Sequence, residues 1–246
     1  MVEEDPCRKA ILEVLPGANC GACGYPGCSG CSEAIFEGKA PVDACPVGGA
    51  YVAESISKIM GVAVVVRSQV ARCRCNGSEN NAKLLYNYEG AESCILAKTI
   101  FDGTKLCDFG CFGLGSCAKA CPFDAIEMIN GLPVVDPEKC TACGICVATC
   151  PQILMELVPR NQEVFVGCNN LIKGKKVLEG CNVGCIKCGK CEKVCQYDAI
   201  RVTDVARIDY DKCNNCGACI KVCPTNCIIR HKITEEVVIE DLGKSD

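Results

Sequence analysis

Two runs of cysteine constrain this chain more than any other feature: Cys140-x2-Cys143-x2-Cys146-x3-Cys150-Pro151 and Cys213-x2-Cys216-x2-Cys219-x3-Cys223-Pro224. In such a run three thiolates wrap one [4Fe-4S] cube, and the fourth, before proline, reaches across to a second cube. The spacing has a physical reason. Two-residue gaps let consecutive thiolates converge on adjacent iron corners while the intervening backbone N–H groups point at cluster sulfur. A chain built on such runs draws folding energy from its inorganic ligands as well as from apolar burial.

From Cys107 onward the sequence repeats. Cys107, Cys111, Cys117 and Cys121, followed by Asp124-Ala125-Ile126, recur 74 positions later as Cys181, Cys185, Cys191 and Cys195, followed by Asp198-Ala199-Ile200. The block Cys140 to Pro151 recurs 73 positions later as Cys213 to Pro224. One duplicated module of about 50 residues explains both. The second module is complete, with Cys185-x2-Cys188-x2-Cys191-x3-Cys195 and Gln196 in place of the turn-shaping proline. It pairs Cys185, Cys188 and Cys191 with Cys223, and Cys213, Cys216 and Cys219 with Cys195. The first module departs from this, because Leu114 stands where Cys188 does. Cys107 is the expected replacement, which groups Cys107, Cys111 and Cys117 with Cys150, and Cys140, Cys143 and Cys146 with Cys121. Short strands such as 133–135 and 207–209 precede cysteine blocks, and short helices begin at the third or fourth cysteine.

The first 60 residues read as a small helical unit. Asp5-Pro6 supplies a cap and a proline at the first helical position, and Ile11, Leu12 and Leu15 give the following segment an apolar face. Helices are expected over 7–15, near 32–37 and over 51–60, the last stopped by Gly61. Between them lies Cys20-x2-Cys23-x4-Cys28-x16-Cys45, in which three thiolates share one glycine-rich loop and the fourth returns after a helix to close a cube. The resulting division is a helical [4Fe-4S] domain over 1–60, a connector over 61–106 with a strand-like stretch at Val62 to Val66, modules over 107–160 and 161–234, and a tail over 235–246. The fold class is α+β: the helical domain, then two tandem bacterial-ferredoxin-like 2[4Fe-4S] modules. Five clusters use twenty cysteines.

Composition narrows the class further. The 28 cysteines of 246 residues exceed the roughly 8 to 10% at which a short secreted chain becomes a disulfide scaffold. This chain is long, however, and it opens on the charged run Met1-Val2-Glu3-Glu4-Asp5, so bound metal is expected rather than disulfides. With Lys+Arg 26 against Asp+Glu 30, nothing marks a nucleic-acid binder. One histidine and no tryptophan leave little material for His-based catalysis or ligation. His231 reads as a solvated surface residue. The longest apolar stretch, Ile59 to Val66, falls well short of the roughly 20 residues that cross a bilayer. Structural zinc is the competing use of paired Cys-x2-Cys elements.

The segments Glu3-Glu4-Asp5-Pro6, Leu15 to Cys28 (Leu-Pro-Gly-Ala-Asn-Cys-Gly-Ala-Cys-Gly-Tyr-Pro-Gly-Cys) and Cys45-Pro46-Val47-Gly48-Gly49 together resemble the B subunit of the Rnf complex, a membrane ferredoxin:NAD oxidoreductase. The double modules resemble its longer form from anaerobes, so the resemblance covers nearly the whole chain. It implies an electron-transfer subunit with no substrate-converting site of its own. Such a subunit takes electrons from reduced ferredoxin and relays them through its clusters to the other, membrane, subunits. It also implies a place on the cytoplasmic side of the membrane, with an anchoring helix upstream of Glu3 that this chain lacks. An electron-entry subunit of a soluble reductase or hydrogenase is the alternative.

Five clusters with four thiolates each would add roughly −10 of charge to the formal −4, so a negative ferredoxin would need a local basic landing site. Lys173-Gly174-Lys175-Lys176 reads either as that site or as a solvated turn. Tyr25, Tyr197 and Phe123 read as cluster shielding. Eight cysteines are left over: Cys7, Cys31, Cys73, Cys75, Cys94, Cys168, Cys181 and Cys227. Cys75 and Cys94 precede the first module as Cys168 and Cys181 precede the second, and these four would close a sixth cube.

Overall fold

The computed structural model describes residues 5–64 and 68–231. The amino-terminal unit is three helices. α1 (Pro6–Val14) is capped by Asp5, whose carboxylate accepts the N–H of Cys7 at 2.8 Å, with Pro6 in the first turn where no N–H is needed. α2 (Gly27–Phe36) starts inside the cysteine loop, earlier than expected from Ser32. The cause is Gly27, which turns the chain at φ 76°, where a Cβ would lie 2.7 Å from Asn19 Oδ1. That same oxygen accepts the N–H of Cys28 at 2.8 Å, so the loop and the helix start are tied together. α3 (Gly49–Met60) ends at Gly61 in the left-handed region. Ile11, Leu15, Ala34, Ile35, Val52 and Ile56 pack between the three helices around the Cys31 thiol. Each fully buried isoleucine contributes about 2 kcal/mol.

The strand expected at Val62 to Val66 does not form over 62–64, and 65–67 lie outside the described residues. The strand lies later, as β1 (Gln69–Cys73), followed by α4 (Cys94–Phe101). The first cysteine module then contains α5 (Ser116–Lys119), β2 (Ile126–Ile129), β3 (Leu132–Val135), α6 (Ile145–Thr149) and β4 (Met155–Pro159). The second contains β5 (Val164–Val166), a 3-10 helix over Gly174–Glu179, α7 (Lys190–Val194), β6 (Ile200–Val202), β7 (Ala206–Ile208), α8 (Ala218–Lys221) and β8 (Ile228–Arg230).

The duplication is visible in the sheets. Each module has an inner antiparallel hairpin, β2–β3 or β6–β7, and an outer antiparallel pair, β1–β4 or β5–β8. The connector strand β1 thus plays the part in the first module that β5 plays in the second. Each four- or five-residue helix starts one position before the third cysteine of its run, behind a left-handed glycine: Gly115, Gly144, Gly189 and Gly217. The thiols belong to the core itself. Cys117 and Cys146 pack with Val70, Val135, Met155 and Val158, and Cys185 and Cys191 with Val164, Ile200, Val205 and Ile228.

Candidate metal centres

Five cavities are lined by thiols, and four of them gather the expected sets. Cys20, Cys23, Cys28 and Cys45 face one cavity beneath Leu15, Pro16 and Val47. Cys185, Cys188, Cys191 and Cys223 line a second. Cys195, Cys213, Cys216 and Cys219 line a third, with Tyr197, Ile200 and Ile208. Cys121, Cys140, Cys143 and Cys146 line a fourth, with Phe123 and Ile126. Among the described residues no three Cys, His, Asp or Glu side chains are gathered closely enough for a single metal ion. The thiols face one another across a space.

The fifth cavity gathers a different set from the one expected with Cys107. It is lined by Cys73, Cys94, Cys111, Cys117 and Cys150, with Phe112, Met128, Leu154 and Met155, and Cys107 is not among them. The loop from Cys111 to Cys117 keeps left-handed backbone at Gly113 and Gly115, as Lys187 and Gly189 do in the second module. The path is therefore preserved around Leu114, and two thiols from outside the run, Cys73 and Cys94, reach the cavity. Cys94 is the first residue of α4, where Ser93 caps the helix and the N–H of Cys94 donates to Ser116 Oγ at 2.8 Å. Burial pushes the Cys117 thiol up to about 12, reinforced by Cys111, Cys150 and Cys94. Cys191 is pushed to the same value by burial and then by Cys185, Cys223 and Cys188. Cys94 thus neighbours Cys117 as Cys188 neighbours Cys191.

N–H groups aim at the sulfurs. Cys140 Sγ accepts from the Ala71 amide at 3.4 Å, Cys150 Sγ from Leu154 at 3.4 Å, Cys195 Sγ from Ala199 at 3.4 Å and Cys213 Sγ from Gln162 Nε2 at 3.3 Å. Donors of this kind favour the thiolate, the form that binds iron.

Three cavities hold a fifth thiol that the run spacing did not single out, and each bonds a neighbouring sulfur. Cys31 pairs with Cys23, and burial first, then that bond, pushes Cys31 up to about 12. Cys73 at the end of β1 donates to Cys111, which holds Cys111 down at about 7. Cys227 lies 3.6 Å from Cys223 Sγ, and its bonds hold Cys185 at about 6 and Cys223 at about 5. Cys7, by contrast, faces Met60 Sδ at 3.9 Å. His231 also differs from expectation: it is partly buried with its ring 4.7 Å from that of Phe165, and burial and Arg72 lower its pKa to about 4. Lys173, Lys175 and Lys176 are exposed at the start of the 3-10 helix.

Three family models match the chain: an Fe-S cluster model over residues 15–47, and 4Fe-4S dicluster domain models over 104–151 and 184–227. The chain is 48% identical over 230 residues to the B subunit of the Na(+)-translocating ferredoxin:NAD(+) oxidoreductase complex of Acetobacterium woodii, covering 92% of this chain and 69% of that protein. It is 44% identical to the B subunit of an ion-translocating oxidoreductase complex of Methanosarcina acetivorans, covering 86% and 81% of the two chains. This chain belongs to the Rnf complex B-subunit family. A third B subunit, from the proton-translocating ferredoxin:NAD(+) oxidoreductase complex of Clostridium ljungdahlii, is 39% identical over 86% of this chain and 76% of its own. In this member of the family no described helix is long and apolar enough to cross a membrane.

Proposed function

We propose that this chain is the iron–sulfur electron-transfer subunit of an Rnf-type complex, with one [4Fe-4S] cluster in each of the five cavities. The ligand sets are Cys20, Cys23, Cys28 and Cys45; Cys94, Cys111, Cys117 and Cys150; Cys121, Cys140, Cys143 and Cys146; Cys185, Cys188, Cys191 and Cys223; and Cys195, Cys213, Cys216 and Cys219. The observation that carries this reading is that each cavity is lined by at least four thiols, enough donors for a cube. When bound, the clusters supply one-electron redox chemistry. The chain's own residues hold the thiolates, aim N–H donors at them and exclude water with apolar walls, levers that set potential.

The two halves from β1 to β4 and from β5 to β8 are read as bacterial-ferredoxin-like modules, the first beginning at β1 rather than at Cys107. Relatives named as subunits of ferredoxin:NAD(+) oxidoreductase complexes support reduced ferredoxin as electron donor and the other complex subunits as acceptors. The exposed lysines at 173, 175 and 176 are the proposed ferredoxin landing site, since the loaded subunit is strongly negative elsewhere. Stopped-flow mixing with reduced ferredoxin tests this. Rapid bleaching of the visible absorbance is expected, slowed severalfold at low ionic strength by Lys173→Glu with Lys176→Glu and converging with the variant at high salt. No bleaching by ferredoxin in a sample that dithionite bleaches would overturn the assignment.

A further inference from the structure

We propose that Cys75, Cys107, Cys168 and Cys181 form a sixth [4Fe-4S] site where the two modules meet. None of these four lines the five cavities, yet four separate segments bring them together. A Cβ placed on Gly77 would lie 3.5 Å from Cys75 Sγ and 3.4 Å from Cys181 Sγ, so both sulfurs flank one point. Asn170 joins the other two: its side-chain Nδ2 donates to Cys107 Sγ at 3.3 Å, and its backbone N–H to Cys168 Sγ at 3.5 Å. Cys107 is a charge neighbour of both Cys168 and Cys181. The backbone agrees, because the Asn76 N–H donates to Gly167 O at 2.8 Å and the Gly180 Cβ position lies 3.6 Å from the Cys107 amide.

The duplication supplies the four thiols symmetrically. Cys75 lies two residues beyond β1 and Cys168 two residues beyond β5, while Cys107 and Cys181 are the aligned pair 74 positions apart. Each module therefore contributes one thiol from each of two equivalent places, and Cys107 takes the place that the sequence pattern gave to Cys94.

The sulfurs are also dressed as ligands are. Cys75 Sγ accepts the N–H of Cys111 at 3.4 Å, Cys168 Sγ that of Cys185 at 3.3 Å, and Cys181 that of Val183. The fifth thiols at Cys31, Cys73 and Cys227 instead bond other sulfurs. A buried cation completes the arrangement. Lys105 is 5% exposed, makes no ion pair among the described residues and donates to Gly77 O at 2.7 Å. The charges it faces are the sulfurs of Cys75, Cys111 and Cys181. A buried ammonium needs negative charge, and a four-thiolate cube provides it.

The inference rests on the reading of the chain as a cluster carrier, and metal analysis of the anaerobically reconstituted full chain separates the two. About 24 iron and 24 sulfide per chain are expected; about 20 iron, with or without one zinc, overturns the sixth cluster and leaves the five, and iron near zero overturns both. Cys107→Ser and Cys168→Ser should each lose about four iron, and the double variant no more than either. A double variant that loses about eight would return Cys107 to the cube of Cys111, Cys117 and Cys150 and refute the site.

Discussion

Replacing Cys227 with alanine should lower the potential of one cluster only, the one proposed on Cys185, Cys188, Cys191 and Cys223. Cys227 is 2% exposed, and its sulfur lies 3.6 Å from Cys223 Sγ. Iron-bound thiolates carry no proton, so the S–H of Cys227 is the donor to Cys185 or Cys223, and those two bonds, Cys185 first, push its own pKa far up. A hydrogen bond to a charged group is worth about 1.5 to 3 kcal/mol. Reduction takes a four-thiolate cube from about −2 to about −3, which strengthens the bond by a fraction. For a weak S–H donor this differential is about 0.5 to 1 kcal/mol. At about 59 mV per tenfold change for one electron, the potential should fall by about 20 to 40 mV. Cys227→Ser retains a donor and should fall less. An anaerobic redox titration followed by EPR reads the shift against the other clusters. An unchanged or higher potential in Cys227→Ala, with all clusters present, would mean that Cys227 donates no hydrogen bond that stabilises the reduced cluster.

Cys94→Ser should lose about four iron, and adding Cys117→Ser should lose no more, since both serve one cube; iron analysis decides. Ile153 sits at φ 53° and is 73% exposed, and Asn226 occupies the equivalent place in the second module. Ile153→Asn relieves left-handed strain in a β-branched residue and should raise stability by about 1 kcal/mol in anaerobic urea unfolding. His231 binds a proton below about 4 when folded and about 6.5 when unfolded, so its contribution is intact above about pH 6.5 and is lost as pH falls toward 4. His231→Phe should flatten the decline in the urea midpoint between about pH 7 and 5.5.

What was legible in the sequence was local. Runs such as Cys213 to Cys223 fix their own loop, because left-handed positions at Asn215 and Gly217 turn successive thiols toward one space. The helix starts followed from the same loops. Cys94 was not legible, because its place depends on Ser116, 22 residues away, and on a cap at Ser93. The available signal was glycine at 113 and 115, which lets the loop keep its left-handed path around Leu114. Cys107 is the nearest thiol along the chain, but its sulfur accepts from Asn170, 63 residues away. The strand expected at Val62 to Val66 reflected β-branched composition alone. The pairing partner β4 instead selects Gln69–Cys73, where Val70 and Ala71 are buried. His231 is partly buried because Phe165 and Arg72 come from distant segments.

The central claim, that these thiols are arranged for cubes, is tested most directly by Mössbauer spectroscopy of the anaerobic full chain enriched in iron isotope. All of the as-isolated iron is expected in the valence-delocalised signature of [4Fe-4S] clusters, with matching sulfide and no stoichiometric zinc. Mononuclear iron-tetrathiolate signals, or zinc in place of iron, would contradict it.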